Sequence, residues 1–364
     1  MNDTRQNDVS DSPFMRACAR KPAPHVPVWY MRQAGRCLPE YRALKEKYDI
    51  MTLCRTPERA AEISLMPVTR FGVDAAILFA DIMLPLMSMG VNLKIVEGVG
   101  PVIAHPIGGK KDAQALRALG EHADFRYLQD TIGMVRKELA GKTGGMGKTP
   151  LIGFSGAPFT LASYLIEGKP SRDFAKTKRL MHAEPDAWHA LMRTLTDSVV
   201  YYLRLQIRAG VDAVQLFDSW AGCLSKEDYV AFVLPYSREI FSALRADGAT
   251  VPRIHFGTNT AAFLKEFASV ECEVVGVDWR VPLNEAWDAI GTDKAIQGNL
   301  DPAILLCDFD IVKKSVDAIF AGLEKRRAAH GDPRTGFIFN LGHGVLPDTP
   351  FETLVKLTEY VHGK

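Results

Sequence analysis

The sequence predicts an α/β protein built as a single (β/α)8 barrel of the TIM type. Three observations carry that reading. Eight short apolar runs recur over about 320 residues, helically spaced stretches separate most of them, and most runs stop at a polar or glycine-containing corner. The runs are apolar throughout rather than alternating, as strands are in a parallel sheet covered on its outer face. A doubly wound open sheet is the alternative left open, because counting strands does not show that the eighth closes on the first.

The opening "MNDTRQNDVSDSPF" is polar and lacks an apolar signal-peptide core, so residues 1–12 read as a flexible tail on a cytoplasmic protein, with the barrel spanning 13–364. The first strand is "VPVWYM" (26–31), which runs straight into Arg32 and Arg36. "PERAAEISLMPVTRFG" (57–72) has helical spacing and a glycine stop, and leads to the second strand, "DAAILFA" (74–80), which ends at Asp81. "VNLKIVEGVGPVI" (91–103) then breaks the alternation as a β-hairpin turning on Glu97-Gly98. After the helical "FRYLQDTIGMVRKELAGK" (125–142), "GKTGGMGKTP" (141–150) imitates a phosphate loop. Lys142 stands where the first glycine is needed, and the segment follows a helix and precedes a strand, so it reads as a connector.

The third strand, "PLIGFSG" (150–156), leads into a proline-initiated helix in "APFTLASYLIEG" (157–168), which would carry Tyr164 one to two turns in. The long helical stretch 188–210 leads to "DAVQLFDS" (212–219), and "KEDYVAFVLPYSREIFSALRADG" (226–248) leads to "RIHFGT" (253–258). "EVVGVDW" (273–279) and "KAIQGN" (294–299) are strands six and seven; the helical 309–331 precedes the last strand, "GFIFNLGHG" (336–344).

The 44 Lys and Arg nearly balance the 43 Asp and Glu, which argues against a nucleic-acid or acidic-membrane partner and requires any anion site to be local. No apolar run approaches the eighteen or so residues of a membrane span. The six cysteines include no C-x-x-C pair and read as reduced and structural, with no metal site.

Strand ends of a barrel carry its chemistry, which singles out Arg32, Arg36, Asp81, Ser155, Asp218, Ser219, His255, Asp278, Asn299, Asn340 and His343. Asp218 and Asp278 read first as Asx turns or helix caps, and His255 as a satisfied core histidine. Arg32 and Arg36, four residues apart with only Gln33, Ala34 and Gly35 between them, suit a carboxylate or phosphate; the competing reading is an ion pair with Glu40. His343, between Gly342 and Gly344, marks either a turn or an anion site. No strand end offers a lysine for a Schiff base, and neither G-x-G-x-x-G nor H-E-x-x-H occurs.

"PVWYMRQAGR" (27–36) and "GFSGAPFTLASYLIEG" (153–168) resemble the signature motifs of the uroporphyrinogen decarboxylase family, and "QLFDSWAG" (215–222) and "NLGHGVLPD" (340–348) are similar to its later motifs, in matching order from about Pro13 to the C-terminus. The resemblance implies a distorted barrel, a homodimer, and no metal or organic cofactor. It implies conversion of the four acetate side chains of uroporphyrinogen III to methyls, giving coproporphyrinogen III and four CO2. It places Arg32, Gln33, Ala34, Gly35, Arg36 and Lys45 at substrate carboxylates and Asp81 beneath the pyrrole NH groups. Tyr164, Ser219 and His343 become further contacts, and Phe217 part of an apolar floor. Two departures stand out: Cys37 replaces the family's usual tyrosine, and the surroundings of Lys45 match poorly.

Decarboxylation needs an electron sink, and a pyrrole protonated on ring carbon is one. Asp81 would stabilise that cation; Arg36, or a water it holds, would deliver protons, with His343 as the rival. The competing corrinoid methyltransferase reading needs an H-x-C zinc pair, and "HFGTN" (255–259) has Gly257 in the cysteine's place.

Overall fold

The computed structural model describes residues 9–96, 98–141, 149–248, 250–332 and 334–364. The connector 142–148, Glu97 of the hairpin turn and the first eight residues lie outside these. The chain is already folded at Val9, four residues before the expected start of the barrel. Val9–Asp11 form a 3-10 turn, and the Ser12 hydroxyl accepts from Met15 N at 3.3 Å to cap the helix Pro13–Cys18.

The strands are β1 (Ala76–Ile77), β2 (Leu93–Val96), β3 (Gly100–Ile103), β4 (Leu151–Gly156), β5 (Ala213–Asp218), β6 (Arg253–Gly257), β7 (Val274–Gly276), β8 (Ala295–Leu300) and β9 (Phe337–Leu341). β2 and β3 pair antiparallel as the expected hairpin. The other seven form one parallel sheet in the order β1-β4-β5-β6-β7-β8-β9. The helical stretches form where the 3.6-residue periodicity places them, and left-handed glycines stop several: Gly72 follows Pro57–Phe71 at φ 68°, and Gly210 follows Pro185–Ala209 at φ 107°. One stretch divides: Pro235, lacking an N–H, separates Lys226–Phe232 from Leu234–Ala246.

The predicted first strand is reduced to one bridge, Val28 with Phe339 of β9. The reason is local. Pro27 has no donor, and the Val28 N–H is taken by the Asp74 carboxylate at 2.7 Å rather than by a neighbouring strand. The segment still closes the barrel. Phe339 N donates to Pro27 O and Trp29 N to Phe339 O on one side, and Asp74 N donates to Val28 O on the other. The open-sheet alternative is thereby excluded, and the fold is a distorted α/β barrel.

Two apolar layers follow from strand alternation. Outward residues such as Val214, Leu216 and Val275 join the large core beneath the helices. Inward residues such as Ile77, Phe154, Phe256, Ala295 and Ile338 fill the barrel, and Phe14, Ala17 and Cys18 of the first helix join this inner cluster. Deep inside, Trp29 Nε1 donates to Gln297 Oε1 at 2.9 Å and Gln297 Nε2 to Gln215 Oε1 at 3.1 Å, so the buried amides largely satisfy one another. At the N-terminal rim, Asp74 binds His25 and His362 through opposite oxygens, each at 2.7 Å. No helix among the described residues is long and apolar enough to cross a membrane.

Candidate active site

The C-terminal ends of the strands surround a cleft of about 1030 Å³, counted to its open mouth. Its floor is aromatic. Phe154 meets Phe217 edge-on at 5.5 Å, Phe217 meets Phe256 at 5.7 Å, and all three line the cleft. Arg32, Ala34, Gly35, Arg36, Asp81, Ser219 and His343 line its upper wall. Four segments far apart in sequence thus converge where the apolar runs end.

The arginine turn is held in an unusual shape. Arg32 lies in the left-handed region at φ 62°, a conformation that costs an ordinary residue about 1–2 kcal/mol. The turn is fixed from β9: Asn340 Oδ1 accepts from Met31 N at 3.1 Å, and Val345 N donates to Met31 O at 2.9 Å. Gly344 leaves room for the Arg32 stem, since a Cβ there would lie 2.4 Å from Arg32 Cδ. The expected competitor for the arginines is otherwise engaged, because Glu40 pairs with Arg70 at 2.8 Å. Among the described residues neither Arg32 nor Arg36 forms an ion pair, so positive charge faces the cleft.

Gln33 turns the other way. Fully buried, it accepts from Tyr30 N and donates to Ala75 O, both at 2.9 Å, and does not line the cleft. Its side chain braces the turn from behind, so any approach of Gln33 to the cleft is through its backbone. Lys45 is exposed in a neighbouring groove with Lys47 and Lys94, a groove that shares Ile50 with the cleft. Cys37 lies behind the wall, 4 % exposed, its thiol pushed up to about 11 by burial. Tyr41, edge-on to Phe79, faces the cleft instead.

Asp81 follows β1. Its Oδ1 accepts from Met83 N at 2.8 Å in a tight turn. Loss of solvent raises its pKa above the ordinary carboxyl value, against the opposing pull of the Met83 N–H and the Arg32 charge. His343 accepts the Gly344 N–H at Nδ1, 2.6 Å away, so the neutral ring carries its proton on Nε2. Burial and the charges of Arg32 and Arg280 lower its pKa to about 4. Tyr164 does not line the cleft: it packs, tilted, against Trp220 with centroids 3.9 Å apart, and burial and the Asp81 charge push its hydroxyl up to about 12.

Asn299, Asp278 and His255 are engaged within the protein. Asn299 Nδ2 donates to Asp278 O and Val281 O, and Asp278 accepts from Asn259 N and pairs with Arg280. His255 stacks on Phe267 at 3.7 Å and is held neutral, its pKa lowered to about 3 by burial. A Cβ at Gly257 would meet Thr260 Cγ2 at 2.7 Å, so this corner has no room for a thiol beside His255. The one candidate metal cluster among the described residues, His25, Asp74 and His362, lies at the opposite rim, with each Nε2 already bonded to a carboxylate oxygen. Sequence reasoning missed Tyr41, Phe79, Ile82, Phe154 and Phe256 of the lining. The inward register of β4 and β6 was the available signal for the last two.

The site can therefore hold a large, flat, anionic molecule, with apolar contact below, guanidinium groups at the rim and one reluctant carboxylate between them. Comparison with known proteins agrees. The family model described as "Uroporphyrinogen decarboxylase (URO-D)" matches residues 9–364. The curated uroporphyrinogen decarboxylase of Thermobifida fusca is 50 % identical over 358 residues, 98 % of this chain and 94 % of that protein. That of Salinispora tropica is 48 % identical, covering 98 % of this chain and 92 % of its own. Among solved structures, a methyltransferase from Methanosarcina mazei superposes with a TM-score of 0.77 at 18 % identity, over 96 % of this chain and 98 % of its own, a likeness of fold.

Proposed function

From the premise that the chain belongs to the uroporphyrinogen decarboxylase family, and is thus a carboxy-lyase of tetrapyrrole biosynthesis acting on the acetate side chains of uroporphyrinogen, we propose that the cleft under Arg32 and Arg36 is where it acts. One observation carries the reading: Asp81, two guanidinium groups without ion partners and a floor of three phenylalanines share one cavity. The macrocycle lies on Phe154, Phe217 and Phe256, its nitrogens toward Asp81 and its carboxylates toward the arginines.

Each cycle places a proton on a pyrrole ring carbon, loses CO2 as the resulting cation takes up the electron pair, protonates the exocyclic carbon, and releases the ring-carbon proton to restore the pyrrole, so that one proton is consumed for each CO2 lost. Asp81 acts on the cation. Its raised pKa means that the empty site disfavours the charged carboxylate, and a developing positive charge reverses that preference. A pair of opposite charges about 4 Å apart at an effective dielectric near 20 contributes roughly 4 kcal/mol. If it acts only in the transition state, that is worth about three decades in rate.

His343, its pKa lowered by burial and by the charges of Arg32 and Arg280, offers an Nε2–H to a substrate carboxylate, and docked carboxylates act on it in the opposite sense. Arg36, or a water held by it, is the proposed proton donor, with His343 as the rival. Ser219 adds a hydroxyl at the rim, and Lys45 adds positive charge to the adjoining groove. The proposal includes a barrel acting as one unit over 13–364, a homodimer, and no bound cofactor. Anaerobic incubation of purified protein with uroporphyrinogen, beside Asp81→Asn, tests it: wild-type turnover with a nearly inactive variant is expected, and an active variant refutes the placement. Sedimentation decides the dimer.

A further inference from the structure

One buried acid has no part in the chemistry above. Asp218 ends β5 between Phe217 and Ser219, both of which line the cleft, yet it is fully buried and does not line the cleft itself. Alternation explains this. Val214 and Leu216 face the outer core, and Asp218 continues that row toward the helix Pro158–Glu167. There its Oδ1 accepts from the Thr160 hydroxyl at 3.0 Å, while Oδ2 has no partner. A half-satisfied buried carboxyl is costly and calls for a compensating role.

The chain of contacts continues toward the cleft. Thr160 Oγ1 accepts from Trp220 N at 3.4 Å. The Trp220 ring packs, tilted, against Tyr164, four residues along the helix from Thr160, with centroids 3.9 Å apart, and against Phe174 at 4.9 Å. Ser219 lies between the two residues of this chain that belong to the β5 corner. Its carbonyl is itself bound by the Thr258 hydroxyl, so it is held from both sides.

We propose that Asp218 is a positioning residue, which pins Thr160 and thereby fixes the Trp220–Tyr164 pair and the stance of Ser219 at the cleft edge. The proposal rests on the placement of substrate in this cleft.

The charge state of Asp218 matters to this role. Burial raises its pKa to about 7, opposed only by the Thr160 hydroxyl, and no cation acts on it. The ionisable groups near enough to feel it, Tyr229 and Cys223, are themselves kept neutral by burial. Near neutrality the group therefore changes from an acid to a buried anion with a single donor. The anion draws a second donor toward Oδ2 and disturbs the pair.

The test uses full-length Asp218→Ala, Asp218→Asn, Thr160→Val, the Asp218→Ala/Thr160→Val double variant and Asp81→Asn, with kcat and KM measured from pH 6 to 8.5. Asp218→Ala and Thr160→Val are each expected to lose about tenfold in kcat with a smaller change in KM, and the double variant no more than the worse single, as a shared chain requires. Asp218→Asn keeps an acceptor and cannot ionise, so it retains activity and flattens the limb of the kcat profile near pH 7. Tryptophan fluorescence shifts in the Ala and Val variants, and the shift vanishes when Trp220→Phe is added. Should Asp218→Ala fail to fold, Asp218→Asn and Thr160→Val decide. Wild-type kcat in Thr160→Val, additive losses, or an unaltered pH limb in Asp218→Asn overturns the inference. If Asp81→Asn is fully active, it is the site placement that fails.

Discussion

Asp74 and Asp81 flank the same two-residue strand, β1, and live under opposite electrostatic conditions. Asp74, at the N-terminal rim, receives His25, His362 and the Val28 N–H, which hold its pKa below the ordinary carboxyl value despite burial. Asp81, at the cleft, receives one backbone N–H, and loss of solvent pushes it up. One carboxylate has its partners supplied by the protein and ties three segments together. The other lacks them, and under the proposed function a substrate cation would supply the missing charge. Partner supply separates the carboxylate at the N-terminal rim from the one at the cleft.

The contrast can be broken most severely at the cleft. Asp81→Asn should lower kcat by about three decades, the rate equivalent of roughly 4 kcal/mol. Its urea midpoint should be unchanged or slightly higher, because a raised carboxyl pKa withdraws stability as pH rises above the ordinary value. Asp74→Ala is the mirror image. It leaves two imidazoles and an N–H without their acceptor, and should cost about 2–4 kcal/mol in urea unfolding. Activity per folded molecule should persist.

Arg36→Ala should raise the KM for the octacarboxylate at least about tenfold, from the loss of a charge-assisted hydrogen bond worth roughly 1.5–3 kcal/mol, change tetracarboxylate binding less, and lower kcat as well through its part in proton delivery. Equal losses would count against contact with the departing acetates. Gly344→Ala should push the Arg32 stem aside and weaken binding several-fold with kcat nearly intact, as seen by product titration. The smallest effect is a slope. His25 has a raised pKa, so its contribution is complete below 6.5 and fades as pH rises through its folded value, whereas that of Asp74 is complete above about 3.8 and is lost on acidification. The clasp is therefore strongest between these limits, and His25→Gln should flatten the decline of urea stability above pH 6.5.

Much of this was legible beforehand. The barrel, the hairpin and the order of elements follow from apolar runs and glycine stops, which act within a few residues. That Asp81, the arginines and His343 meet at one cleft was legible because they follow the C-terminal ends of barrel strands. Three things were not. The first strand has a strand's composition, but its ladder depends on the Val28 donor, which a carboxylate 46 residues away removes. Gln33 looks like part of the anion loop, and only the fold shows its side chain spent on Tyr30 and Ala75. The Asp74 clasp joins His25 to His362, near opposite ends of the chain, where no local pattern reaches.

The seam at Val28 also bears on how the molecule is made. Its arginine turn is synthesised among the first residues, yet the β9 groups that anchor this segment, the Phe339 backbone and the Asn340 side chain, leave the ribosome about three hundred residues later. A prematurely ended chain therefore carries both guanidinium groups on a turn that keeps its local brace at Gln33 and lacks its anchors from the far end of the chain.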